Sequence, residues 1–123
     1  GTDSAAIETL NDGLTLPSVA DWDMLYSAVN VANDAGISMA VGPVFTSDLF
    51  YGPDPELFSK LTRRGILGVE MEIAGLYSIS QAEGAQALAL VTVSDDIIRQ
   101  EIMSSADRES TFDEMIQVAL GII

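Results

Sequence analysis

Histidine and cysteine are both absent from the 123-residue chain, so chemistry here falls to carboxylates, arginines and aromatic rings. Imidazole acid–base work, thiol nucleophiles and disulfides are excluded, and the usual nitrogen and sulfur ligands of zinc are missing. Two acidic stretches remain. Ser94-Asp95-Asp96 follows the continuous apolar run Ala87–Val93. A carboxyl at the end of a buried strand is partly desolvated and can hold a proton near neutrality, which suits Asp95 to general acid work. Asp96 would add like-charge pressure, and an ordinary capping aspartate fits the same position equally well. In the second stretch, Glu70-Met71-Glu72, acids sit where a short apolar run, Ile66–Val69, hands over to a helical pattern. A strand–helix joint of this kind is a prime place for a ligand site, while from spacing alone such acids suit better the first turn of a helix, where the dipole favours negative charge. Phe50 and Tyr51 lie together on a loop. Paired rings of this kind wall a flat ligand or plug a loop onto a core. Arg108 stands in an acidic segment, where a lone arginine is usually a surface ion-pair partner of little energetic value.

The elements that must position these residues are read from periodicity and punctuation. Residues 1–19 read as a polar loop with a turn at Asn11-Asp12-Gly13. A helix is expected over Ala20–Asp34, with Trp22, Leu25, Val29 and Ala32 as its core stripe and Gly36 as its stop. Ile37–Phe45 reads as a buried strand, Pro55–Arg64 as a short helix closed by Gly65, and Ala87–Val93 as a central parallel strand. Between the last two, Ile73, Leu76, Tyr77 and Ser80 mark a helix ending at Gly84. Residues 95–110 carry five acidic groups and two arginines and read as a loop. Ser110 or Thr111 then caps a last helix with Phe112, Met115, Ile116 and Ala119 as its stripe. Strand–helix alternation of this kind means an α/β fold with an at least partly parallel sheet.

Composition narrows the partners. Five basic against nineteen acidic residues give a net charge of −14, which repels DNA and RNA backbones. No run approaches the roughly 18 apolar residues that span a bilayer. No signal peptide opens the chain, and the cytosol is the expected compartment. Gly1, in place of an initiator methionine, reads as a junction or a cut within a longer sequence. The basic residues Lys60, Arg63, Arg64, Arg99 and Arg108 have no glycine-rich phosphate loop beside them.

Val69-Glu70-Met71-Glu72-Ile73-Ala74-Gly75-Leu76-Tyr77 resembles the ribose-binding signature of the hexameric, bacterial-type purine nucleoside phosphorylases of the nucleoside phosphorylase-I superfamily. Three further stretches agree in order and spacing: Ser47–Tyr51, Thr92–Asp95 and Ala106–Phe112. The resemblance runs over nearly the whole chain but covers only the C-terminal half of the family's chain. It implies a single partial domain over residues 1–123, cut from a three-layer α/β/α sandwich with a mixed, largely parallel sheet. It also implies phosphorolysis of a purine nucleoside to the free base and ribose 1-phosphate, with inorganic phosphate as co-substrate and no metal or organic cofactor.

Carried over residue by residue, the resemblance makes Asp95 the general acid that protonates purine N7. Arg108 becomes the arginine that swings towards it, and Ser94 lines the base pocket. Phe50 stacks on the base, with Tyr51 its neighbour near the base and ribose. Val69, Glu70, Met71 and Glu72 hold the ribose, with Glu72 accepting from the 2′- and 3′-hydroxyls. Two departures stand out. Asp96 occupies the place where the family usually has histidine. The glycine-rich turn and arginines with which the family holds phosphate, some of them crossing a subunit interface, belong to its N-terminal half and have no counterpart here. The chain alone is therefore expected to have little or no phosphorolytic activity, and to oligomerise (the family forms hexamers, as trimers of dimers) or pair with a missing half. A nucleosidase of the same superfamily and a non-catalytic nucleoside- or partner-binding remnant are the competing readings. Uridine phosphorylase fits less well, because Ser94-Asp95 suits protonation of a purine.

Overall fold

The computed structural model describes residues 1–49, 52, 54–99 and 101–123, apart from the side chains of Asp107, Arg108 and Ser110. In chain order come helix α1 (Ala5–Leu10), helix α2 (Trp22–Ala35), strand β1 (Val44–Thr46), helix α3 (Leu57–Thr62) and strand β2 (Gly68–Glu70). Helix α4 (Ile73–Glu83), strands β3 (Asp95–Asp96) and β4 (Glu101–Ile102), and helix α5 (Ser105–Gly121) complete the chain. The fold is α/β, with a parallel strand pair and helices. Two compact units divide the residues: 1–21 with 41–87, and 22–40 with 88–123.

In the first unit β1 and β2 run parallel, with Val44, Phe45 and Thr46 opposite Gly68, Val69 and Glu70. The opening residues flank β1 on its other side. The Thr46 N–H donates to the Gly1 carbonyl at 2.9 Å, and Thr2 forms a parallel bridge with Thr46. Helix α4 packs against α1 and β1, and Ile7, Leu61, Ile73, Ala74 and Tyr77 are its unit's buried apolar residues. Gly84 ends α4 in the left-handed region at φ +64°, where a side chain is strained. The Ala85 N–H then reaches back to the Ser80 carbonyl at 2.8 Å, satisfying an orphan acceptor of the last turn.

The second unit is built on α2 against α5. Ala28, Ala32 and Val118 form its buried centre, with Ile37, Met39, Leu88, Leu90 and Ile122 packed around them. Small residues let the helices approach closely: a Cβ on Gly121 would lie 2.6 Å from Val31 Cγ1. The β3–β4 hairpin is antiparallel, with Asp95 opposite Ile102 and Asp96 opposite Glu101.

Several expectations need correction. Residues 1–19 hold α1, because Ala5, Ala6 and Glu8 are good helix formers and Asp12 at φ +55° closes the turn the sequence marks. The segment expected as a strand over Ile37–Phe45 is extended strand only from Val44, and Ala87–Val93 is not a strand. β-formers become a strand only where a ladder is available, so composition alone overreached. Residues 95–110 form the hairpin and the first turns of α5, which begins at Ser105 ahead of the expected caps. The C-terminal part of that stretch is therefore helix rather than loop. On α5 the buried positions are Val118 with the partly covered Thr111, Met115 and Ala119, while Phe112 and Ile116 face outward. Trp22, expected in the core, is 69% exposed and stacks on Tyr26 at a centroid distance of 6.0 Å.

Candidate functional site

The predicted site residues fall into two groups, one in each unit, with Phe50 and Tyr51 outside the described residues. The first group is the β2–α4 joint. Helix α4 brings no capping side chain of its own: Glu72 heads it with φ −131° and makes no side-chain cap. The orphan N–H groups of the first turn are taken up from outside the helix. Glu70 Oε2 accepts from the backbone N–H of Glu72 at 2.7 Å and of Ile73 at 2.6 Å. Its other oxygen, Oε1, accepts from the Thr46 hydroxyl. The Thr46 Oγ1 in turn accepts from the Ala74 N–H at 3.0 Å. Thr46 is 3% exposed and stands opposite Glu70 in the strand register. The two Glu side chains therefore diverge in role. The Glu70 carboxylate is occupied by the chain itself, while Glu72 and Met71 are exposed at the joint. Val69 is half-buried in β2.

Next along β1, Ser47 is buried, and its Oγ donates to the Leu49 carbonyl at 3.2 Å and to Asp3 Oδ2 at 3.4 Å. The Asp48 N–H reaches Asp3 Oδ1 at 3.4 Å. Asp3 and Ser47 thus hold the chain where it leaves β1, at Asp48 and Leu49. Sequence reasoning passed over Thr46, and its signal was available: a hydroxyl residue at the end of a β-rich run, ahead of an acid in the neighbouring strand.

The second group surrounds the β3–β4 hairpin. Val93, Ser94, Asp95, Asp96, Glu101, Ile102 and Met103 line a shallow hollow of about 210 Å³. The Ser94 hydroxyl donates to Asp95 Oδ2 at 2.6 Å, and the Met103 N–H donates to the Ser94 carbonyl at 3.0 Å. Asp95 is exposed, so the burial expected of it is not met. The reason is that Ala87–Val93 is not the covered central strand on which that expectation rested. Asp96 turns to another task. Its Oδ1 accepts from the N–H of Ile98 at 3.0 Å and of Arg99 at 2.9 Å, and its Oδ2 lies 3.7 Å from Arg99 Nε. That is an Asx-type closure of the hairpin turn. Arg108 lies in the first turn of α5, and its side chain is outside the described residues.

The profile of the phosphorylase superfamily matches residues 8–122. The chain belongs to the phosphorylase superfamily. Among its curated superfamily relatives is the purine nucleoside phosphorylase DeoD-type 2 of Vibrio cholerae, 46% identical over 97% of this chain and 50% of that protein. The DeoD-type enzyme of Myxococcus xanthus is 45% identical over 99% of this chain and 51% of its own length. That of Yersinia enterocolitica is 47% identical over 84% and 43%. The chain spans about half the length of the relatives it matches.

Proposed function

We propose that this superfamily chain is the nucleoside-recognition half of a purine nucleoside phosphorylase, a pentosyltransferase of purine salvage. The observation that carries the reading is the Glu70-Met71-Glu72 joint, with Glu72 exposed at the head of α4, in a chain so similar to DeoD-type enzymes. Glu72 accepts from the ribose 2′- and 3′-hydroxyls and Met71 packs on the sugar face. Val69 borders the sugar, Phe50 stacks on the base, and Tyr51 lies beside it. As the C1′–N9 bond breaks, Asp95 gives its proton to N7 so that the base leaves neutral. Ser94, bonded to the Asp95 carboxylate, holds that acid's orientation. Arg108 assists the transfer, and a phosphate oxygen forms the new bond to C1′. Phosphate is the co-substrate, and the reaction needs no metal or organic cofactor. The arginines that would hold phosphate are not among these residues, so the chain recognises nucleoside and a complementary half supplies the nucleophile. An intact enzyme of this kind works in the cytoplasm as a homo-oligomer. Among the described residues no helix is long and apolar enough to cross a membrane.

Calorimetry with inosine on the 123-residue chain tests the reading. Saturable binding is expected, and Glu72→Ala should weaken it at least tenfold, or about 1.4 kcal/mol. No binding by the unaltered chain, or equal binding by the Ala variant, would sink it. Base release from inosine by the chain together with an N-terminal half should require phosphate. Release that ignores phosphate would mark a nucleosidase instead.

A further inference from the structure

We infer that Thr46 is a positioning residue for the sugar grip and that Glu70 acts through the backbone, not on the ribose; this rests on the nucleoside-binding reading above. The argument is one of occupancy. Glu70 Oε2 already holds the N–H groups of Glu72 and Ile73, at 2.7 and 2.6 Å, and Oε1 already holds the Thr46 hydroxyl. A carboxylate so employed is not offered to a ligand. What the bonds do is fix the backbone on both sides of Met71 and at the base of the Glu72 side chain. Thr46 closes the set, because its single oxygen both donates to Glu70 and accepts from the Ala74 N–H at 3.0 Å. It reaches both partners from the adjoining strand, where it stands directly opposite Glu70. Being 3% exposed, it touches no ligand and can influence one only through the joint. The Glu72 carboxylate is thereby aimed from a rigid platform, and hydrogen-bond geometry to paired hydroxyls depends on such rigidity.

Thr46→Val keeps the shape and removes the hydroxyl, while Thr46→Ser keeps the hydroxyl. In the 123-residue chain, hydrogen exchange at the Glu72, Ile73 and Ala74 amides should speed at least tenfold in T46V and return to within about twofold of the original in T46S. Inosine binding by calorimetry should follow the same order: at least tenfold weaker in T46V, restored in T46S. Unchanged exchange in T46V overturns the clamp while leaving the nucleoside reading intact. Faster exchange with unchanged inosine affinity overturns the positioning role. Failure of T46S to restore both would mean that packing, not the hydroxyl, carries the effect. If the unaltered chain binds no inosine, the nucleoside reading itself falls, and the role of Thr46 in gripping a sugar falls with it.

Discussion

Asp96 shows how a single residue can be recruited away from chemistry. Its carboxylate receives two turn amides and faces Arg99, so the hairpin between β3 and β4 depends on it. The ion pair is exposed and contributes little; the amide bonds are the stabilising part. Asp96→Ala should cost about 0.5–1.5 kcal/mol in chemical denaturation, whereas Asp96→Asn, which keeps an acceptor oxygen, should cost only a few tenths. An Ala variant as stable as the original would show that the turn closes without it. Asp54 offers a pH test. The Lys60 ammonium, donating to it at 2.8 Å, holds its carboxyl below the usual aspartate range, and the Glu56 N–H adds to this. A lowered folded-state value means the pair's small contribution is complete above about pH 4 and fades as acid protonates Asp54. Lys60→Met should return the Asp54 titration, followed by NMR, towards the ordinary value near 3.9. An unmoved midpoint would reject Lys60 as the cause.

At the scale of elements, α2 and α5 depend on how closely their backbones approach. Val31 is β-branched and stiff within its helix, so it cannot step aside for a Cβ placed 2.6 Å from its Cγ1. Gly121→Ala should therefore destabilise the chain by about 1–3 kcal/mol, despite the better helix propensity of alanine. A neutral or stabilising outcome would mean the helices part without penalty. Helices with clear punctuation were legible in the sequence: α2 and α4 stop just before Gly36 and Gly84 as their patterns require. Helix α3, expected over Pro55–Arg64, is helical only over Leu57–Thr62, with a turn leading to Gly65. Elements that depend on a distant neighbour were not. Nothing local to Ala87–Val93 says whether a ladder partner exists, and nothing local to Trp22 says that Ala28 and Ala32 form the contact face. The candidate site was visible in the sequence only as a motif, and its inner wiring was not. Glu70 and Glu72 look alike in sequence, and only the Thr46 register separates the one that caps from the one left exposed.

For the molecule as a whole, a charge of −14 means net self-repulsion in the folded state. Added sodium chloride should raise the melting temperature by a few degrees as the screening length shrinks. A melting point indifferent to salt would show the charges to be balanced locally. Residues 1–123 are proposed to behave as one cooperative domain, and the exposed Trp22 provides the means to ask. It is the only tryptophan of the chain and lies wholly within the second unit. Stacked on Tyr26, its emission responds when α2 frays. Circular dichroism sees every helix. Coincident transitions by the two signals would mean both units melt together, and separated ones would mean they do not. A side chain that contributes little to the core thus serves as a built-in optical gauge of one unit.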